Sequence, residues 1–152
     1  MVDGDTRARW HERFVHAVPH NRALGIELVE IDERGARFRL PWAPHLVGDP
    51  ATGVLHGGAV TALLDACAGA AVFAAQPVLG SIATLDLRID YLRPATPSRA
   101  VHAHAVCRRL TRHVAFVDAV AYHDDEADPI ATGAATFMRG TRRGPRAEPP
   151  GG

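Results

Sequence analysis

One segment restricts the folds open to this chain more than any other. Residues 57 to 76, GGAVTALLDACAGAAVFAAQ, make a long apolar helical run, and Pro77 stops it at once. From Gly80 onward the apolar period changes to two. Leu85, Leu87, Ile89 and Tyr91 alternate with Asp86, Arg88 and Asp90, which predicts a strand with one apolar face. Residues 99 to 109, 113 to 123 and 129 to 139 read as three more strands, with LTRH and HDDEADP as turns between them. Upstream, LGIELVEIDERGARFRLPW reads as a hairpin turning at ERG, after a short helix over residues 5 to 18. Residues 43 to 55, with two prolines and two glycines, read as a loop. Five or six antiparallel strands cannot leave their inner face wet, and one apolar helix is available to cover it. The expected architecture is therefore α+β: a strongly curved antiparallel sheet wrapped around a central helix. The lack of further crossover helices argues against a Rossmann arrangement.

Composition narrows the function classes. The chain has 152 residues, 47% of them hydrophobic, which suits a single domain over 1–139 with a basic tail, expected to be disordered, over 140–152. Lys and Arg number 17, as do Asp and Glu, so no electrostatic footprint for nucleic acid or an anionic membrane is present. Alanine occurs 27 times, and side chains that small bury little area each. A core of this kind is expected to lean on neighbouring chains. Cys67 and Cys107 are too few for a disulfide framework or a zinc cluster and read as buried structural thiols. The N-terminal MVDGDTRARWHERF carries charges where a signal peptide needs an apolar run, so the cytoplasm is the expected location. As a membrane span the 57–76 run is marginal, being alanine-rich and interrupted by an Asp.

That Asp65 is the sole formally charged residue of the helix. On a helical wheel it falls near Thr61, Ala68 and Val72, with no base three or four positions away, which points to an apolar setting. An unpaired carboxylate is costly to bury, and such costs persist where they have a use. The plainer alternative is a solvated residue at an open helix edge, or a cap for another segment's amides. At the helix start, HGG at 56 to 58 offers unpaired N–H groups and the positive end of the helix dipole. It fits an oxyanion hole for acyl transfer as well as it fits tight helix–sheet packing. Gly57 and Asp65 lie eight residues apart, roughly 12 Å along one helix at 1.5 Å per residue. If they cooperate on one carbonyl, the Asp must come from a second subunit. A two-fold dimer with two interfacial sites follows.

The stretches DPATGVLHGGAVTALLDACAG and SIATLDLRIDYLRPA resemble the hotdog-fold acyl-CoA thioesterases, in the PaaI-like group that includes 4-hydroxybenzoyl-CoA thioesterases. The resemblance covers roughly residues 20 to 139, and the spacing from His56 to Asp65 carries most of it. It implies a sheet wrapped around the helix, homodimers that commonly pair into tetramers as dimers of dimers, and acyl-CoA as substrate. It assigns Asp65 as general base or nucleophile and the Gly57 N–H to the thioester oxygen. His56 would shape the loop and orient the carbonyl, and Thr84 would place the water or the carboxylate. No cofactor or metal is implied, coenzyme A being part of the substrate. Where relatives carry Asn-Pro, this chain has Asp49-Pro50. An ionised Asp cannot donate a hydrogen bond, and beside a partner's Asp65 it would raise one carboxyl pKa unless it points away.

Other polar residues carry less. His102 and His104 share a strand face, without a carboxylate or Cys at metal-ligand spacing, and are expected at or near the surface. Arg88, Arg93, Arg108, Arg109 and Arg112 are candidates for coenzyme A phosphates. Val54, Leu55, Val60, Leu64 and Ala68 are candidate pocket walls. Two rival activities share the expected fold. A hydratase or dehydratase would use His56 for proton transfer at carbon, and a non-catalytic acyl-CoA-binding protein would dispense with Asp65.

Overall fold

The structure, a computed structural model, describes residues 4–77 and 80–140. The expected basic tail lies outside the described residues beyond Gly140. Element order is α1 (Gly4–His11), a π-helical turn (Glu12–His16), α2 (Pro19–Leu24), β1 (Glu27–Asp32), β2 (Gly35–Leu40) and a 3-10 turn (Pro44–Leu46). Then come β3 (Val47–Asp49), β4 (Val54–Leu55), α3 (Gly57–Ala75), β5 (Ile82–Tyr91), β6 (Val101–Leu110), β7 (Val114–Tyr122) and β8 (Ala131–Arg139). One antiparallel sheet runs in the order β1-β2-β6-β7-β8-β5, with α3 against its inner face. This is the hotdog architecture.

Alanine makes the wrapping possible. On α3, Leu63, Leu64, Cys67, Ala68, Ala70 and Val72 are wholly buried. Facing them across β6, β7 and β8 are Ala103, Ala105, Ala115, Ala121 and Ala131, also fully buried. Small residues on both surfaces let helix and sheet approach closely, while Phe38, Leu40, Val101 and Phe137 fill the margins. Although α3 is long and apolar enough to cross a membrane, the sheet already covers this face. The alanines thus serve a close contact within the chain.

Several expectations change in detail. The predicted helix over 5 to 18 is α1 followed by the π turn, a separate helix α2 begins at Pro19, and the Phe14 carbonyl of the turn accepts the Asn21 side-chain amide at 2.7 Å. The 43–55 loop contains the small β3–β4 ribbon. In the first hairpin Asp32 caps the Arg34 N–H at 2.8 Å, and Gly35 follows with φ +146°. A Cβ at Gly35 would stand 2.1 Å from the Ala105 carbonyl oxygen, so only glycine fits between β2 and β6.

The largest change concerns β5. Its register against β8 slips between Thr84 and Asp86, so Leu85 is a bulge residue rather than a member of the apolar face. Leu87, Ile89 and Tyr91 keep the inner face, and Asp86, Arg88 and Asp90 the outer one. Upstream of the bulge the parity is reversed, which carries Thr84 to the inner side, opposite the helix.

Candidate active site

Asp65 sits half-buried on the outward flank of α3, and its Oδ1 accepts a hydrogen bond from Thr84 Oγ1 at 2.9 Å. It is therefore neither unpartnered nor enclosed in apolar surroundings, as the bare sequence suggested. Its second oxygen has no hydrogen-bond partner among the described residues. Both residues line an open groove of about 600 Å³ with Phe14, Val18, His20 and Asn21 of the N-terminal segment. Ala62, Ala66, Gly69, Ile82, Leu87 and Phe137 complete its apolar walls.

The sequence-predicted pocket walls fall elsewhere. Leu55, Val60, Leu64 and Ala68 are buried in the core, and Val54 belongs to the β3–β4 ribbon. The groove uses the neighbouring flank of α3, through Thr61, Ala62, Asp65, Ala66 and Gly69. Thr61 shares Asp65's face as expected, but Ala68 and Val72 turn inward to the sheet. Nothing in the sequence indicated that the segment around Phe14 would roof the groove, because that contact joins residues far apart in the chain.

At the helix start His56 is the N-cap, and its Nδ1 accepts the Gly58 N–H at 2.8 Å. Gly58 has to be small: a Cβ there would stand 2.9 Å from Nδ1. The loop below is equally tight, since a Cβ on Gly48 would meet the His56 Cα at 2.8 Å. The Gly57 N–H is exposed and has no acceptor among the described residues, as an oxyanion donor requires. The Gly57 carbonyl, by contrast, accepts from Tyr91 Oη at 2.6 Å and from Thr61 Oγ1 at 3.0 Å. Sequence reading placed Tyr91 only as a strand residue. Its hydroxyl at the end of an apolar stripe was the signal available.

Asp49 points into its own turn. Its carboxylate accepts the Ala51 N–H at 3.0 Å and the Thr52 Oγ1 hydroxyl at 2.9 Å, so Asp49 builds the loop below the helix terminus. Three candidate phosphate ligands are already ion-paired: Arg88 with Asp90, Arg93 with Asp128 and Arg108 with Asp118. Arg109 and Arg112 are exposed at the β6–β7 turn. His104 lies 2.6 Å from Glu126 and His102 stacks on Tyr122, both half-buried as expected. Among the described residues no group of three or more His, Cys, Asp or Glu gathers to hold a metal. Cys67 is wholly buried, which pushes its thiol pKa far up, whereas Cys107 is only half-buried, against expectation.

A helix-borne carboxylate, a helix-terminal N–H without an acceptor among the described residues and an apolar groove are thus set on a hotdog fold. The chain matches the thioesterase superfamily over residues 52–130, and it belongs to that family of thioester hydrolases. It is 32% identical over 142 residues to the medium/long-chain acyl-CoA thioesterase YigI of Escherichia coli K12, covering 85% of this chain and 90% of that one. Among solved structures, a Pseudomonas aeruginosa protein superimposes with a TM-score of 0.78 at 40% identity, over 86% of this chain and 97% of its own. A Shewanella oneidensis protein related to the thioesterase superfamily gives 0.77 at 25% identity, over 86% and 93% of the two chains.

Proposed function

We propose that this protein hydrolyses medium- to long-chain acyl-CoA thioesters to the free acid and coenzyme A, at two sites shared across a two-fold dimer. The observation that carries the reading is the Asp65 carboxylate, oriented by Thr84 at the wall of an apolar groove with one oxygen free. The acyl chain lies along that groove, and the carbonyl rests on the Gly57 N–H of the facing protomer. The roughly 12 Å between Gly57 and Asp65 on one helix rules out their joint use within one chain. The chain-length class follows the activity in the name of the E. coli relative.

In this reading Asp65 takes a proton from water as the water oxygen adds to the carbonyl carbon. Negative charge collects on the carbonyl oxygen, where the Gly57 N–H and the helix dipole stabilise it. Collapse breaks the C–S bond, and the proton passes to the departing sulfur. Direct attack by Asp65 would give an acyl-aspartyl anhydride instead, hydrolysed in a second step. A single turnover in ¹⁸O-water separates the routes, because label entering the Asp65 peptide marks the anhydride. No cofactor takes part in either scheme.

The deciding experiment is Asp65→Asn, assayed by free-thiol release on aryl, short-, medium- and long-chain acyl-CoAs. Turnover is expected to fall roughly a thousandfold with acyl-CoA binding retained. Unchanged hydrolysis would sink the assignment. Hydrated product from an enoyl-CoA would favour the hydratase reading, and tight binding without turnover in the wild type would favour a binding protein.

A further inference from the structure

We propose that Tyr91 is a positioning residue for the thioester-binding helix terminus, acting through the Gly57–Gly58 peptide to fix the orientation and tautomer of His56. This rests on the acyl-CoA reading above and adds a residue to it.

Tyr91 ends β5, where the chain is pinned by the Leu92 N–H donating to the Ile130 carbonyl at 2.8 Å. Its hydroxyl donates to the Gly57 carbonyl at 2.6 Å, and the single Thr61 Oγ1 proton is shared between Tyr91 Oη at 2.7 Å and the same carbonyl at 3.0 Å. That carbonyl is conjugated with the Gly58 N–H across one peptide bond. Drawing electron density onto the oxygen makes the N–H a stronger donor, and hydrogen bonds in such a chain reinforce one another. The Gly58 N–H donates to His56 Nδ1 at 2.8 Å. An Nδ1 that accepts carries no proton, so the neutral imidazole holds its proton on Nε2. His56 then carries its N–H donor on Nε2, at the same helix start that bears the free Gly57 N–H.

The two glycines of HGG fit this arrangement. A Cβ on Gly57 would stand 3.4 Å from Tyr91 Oη, and one on Gly58 would stand 2.9 Å from His56 Nδ1. The first is ordinary van der Waals contact, whereas the second is too short, so it is Gly58 that has to be bare to admit the imidazole. The helix start is pinched between a strand-borne hydroxyl and its own cap.

Tyr91→Phe removes one oxygen and keeps the ring against Gly57. Because one hydrogen bond to a positioning peptide is lost, kcat should fall about fivefold while KM stays within about twofold. In ¹H–¹⁵N spectra the Gly58 amide proton should move upfield, and the His56 Nδ1 resonance should lose part of its acceptor signature. Thr61→Val should act in the same direction, Thr61→Ser should restore the wild-type values, and the double variant should cost less than the sum of the singles. A rise in KM at constant kcat would make Tyr91 a substrate contact and overturn the proposal. Loss of dimer mass accompanying the activity loss, or a Gly58 amide that does not move, would overturn it as well. The spectra need no substrate, so they judge Tyr91 even if Asp65→Asn were to refute the thioesterase reading.

Discussion

Glu126 illustrates how a single residue's surroundings set its ionisation. Partial burial pushes its pKa upward, but hydrogen bonds from His104 and Arg37 outweigh that and hold it below its ordinary value of 4.5. A carboxyl depressed by folding contributes stability above its unfolded pKa and loses it as pH falls through the folded one. Glu126→Gln should therefore lower the urea midpoint at pH 7, and the gap to wild type should close on acidification below about pH 4.5. A gap that persists at pH 3 would show the loss to be one of packing. Asp65 marks the opposite limit of sequence reading. Its isolation on an apolar helix was plain from the sequence, whereas its partner Thr84, 19 residues away, was assigned through family resemblance alone.

In strand β5 the placement of one bulged residue decides which side chain faces the helix. Strict alternation from Tyr91 back through Ile89 and Leu87 would make Leu85 apolar-facing and turn Thr84 outward. The bulge at Leu85 reverses that parity, so Thr84 reaches Asp65. Deleting Leu85 should remove the bulge while leaving Thr84 opposite Phe137 on the inner face, so kcat should stay well above that of Thr84→Val. A crystal structure of the deletion with Thr84 turned away from Asp65 would contradict this. The bulge was invisible in the sequence because a bulge residue need not differ in polarity from its neighbours. Helix α3, by contrast, was readable almost to its ends, because its apolar run, its N-terminal HGG and its stop at Pro77 all act locally.

For the whole molecule, β5 is one edge of the sheet and β1 the other, with Leu85, Tyr91 and the adjoining Leu92 on the β5 side about half exposed. An exposed edge of this length and polarity suits pairing with a second copy, as the shared-site reading requires. Complementation tests it directly. Gly57 is the first residue of α3 and follows His56 at φ −62°, ψ 133°, a backbone that tolerates a following proline. Gly57→Pro should keep the helix and remove the oxyanion N–H. Gly57→Pro and Asp65→Asn homodimers should each be nearly inactive. Random mixing should restore about one quarter of wild-type turnover, since half the dimers are mixed and each holds one intact site. Failure of the mixture to recover, with mixed dimers verified by mass, would refute a site shared between protomers.

The sequence by itself determined the elements and their sides: an apolar helix, period-two strands, a lone acid and a glycine-flanked helix start. These follow from nearest-neighbour chemistry and periodicity, which local sequence encodes directly. Only the tertiary structure decided which helix flank lines the groove, that Phe14 and Val18 roof it, and that Tyr91 closes on Gly57. Each of those depends on a register shift or a contact between distant segments. Side-chain identity at one position does not specify either, because both arise when the sheet closes around the helix.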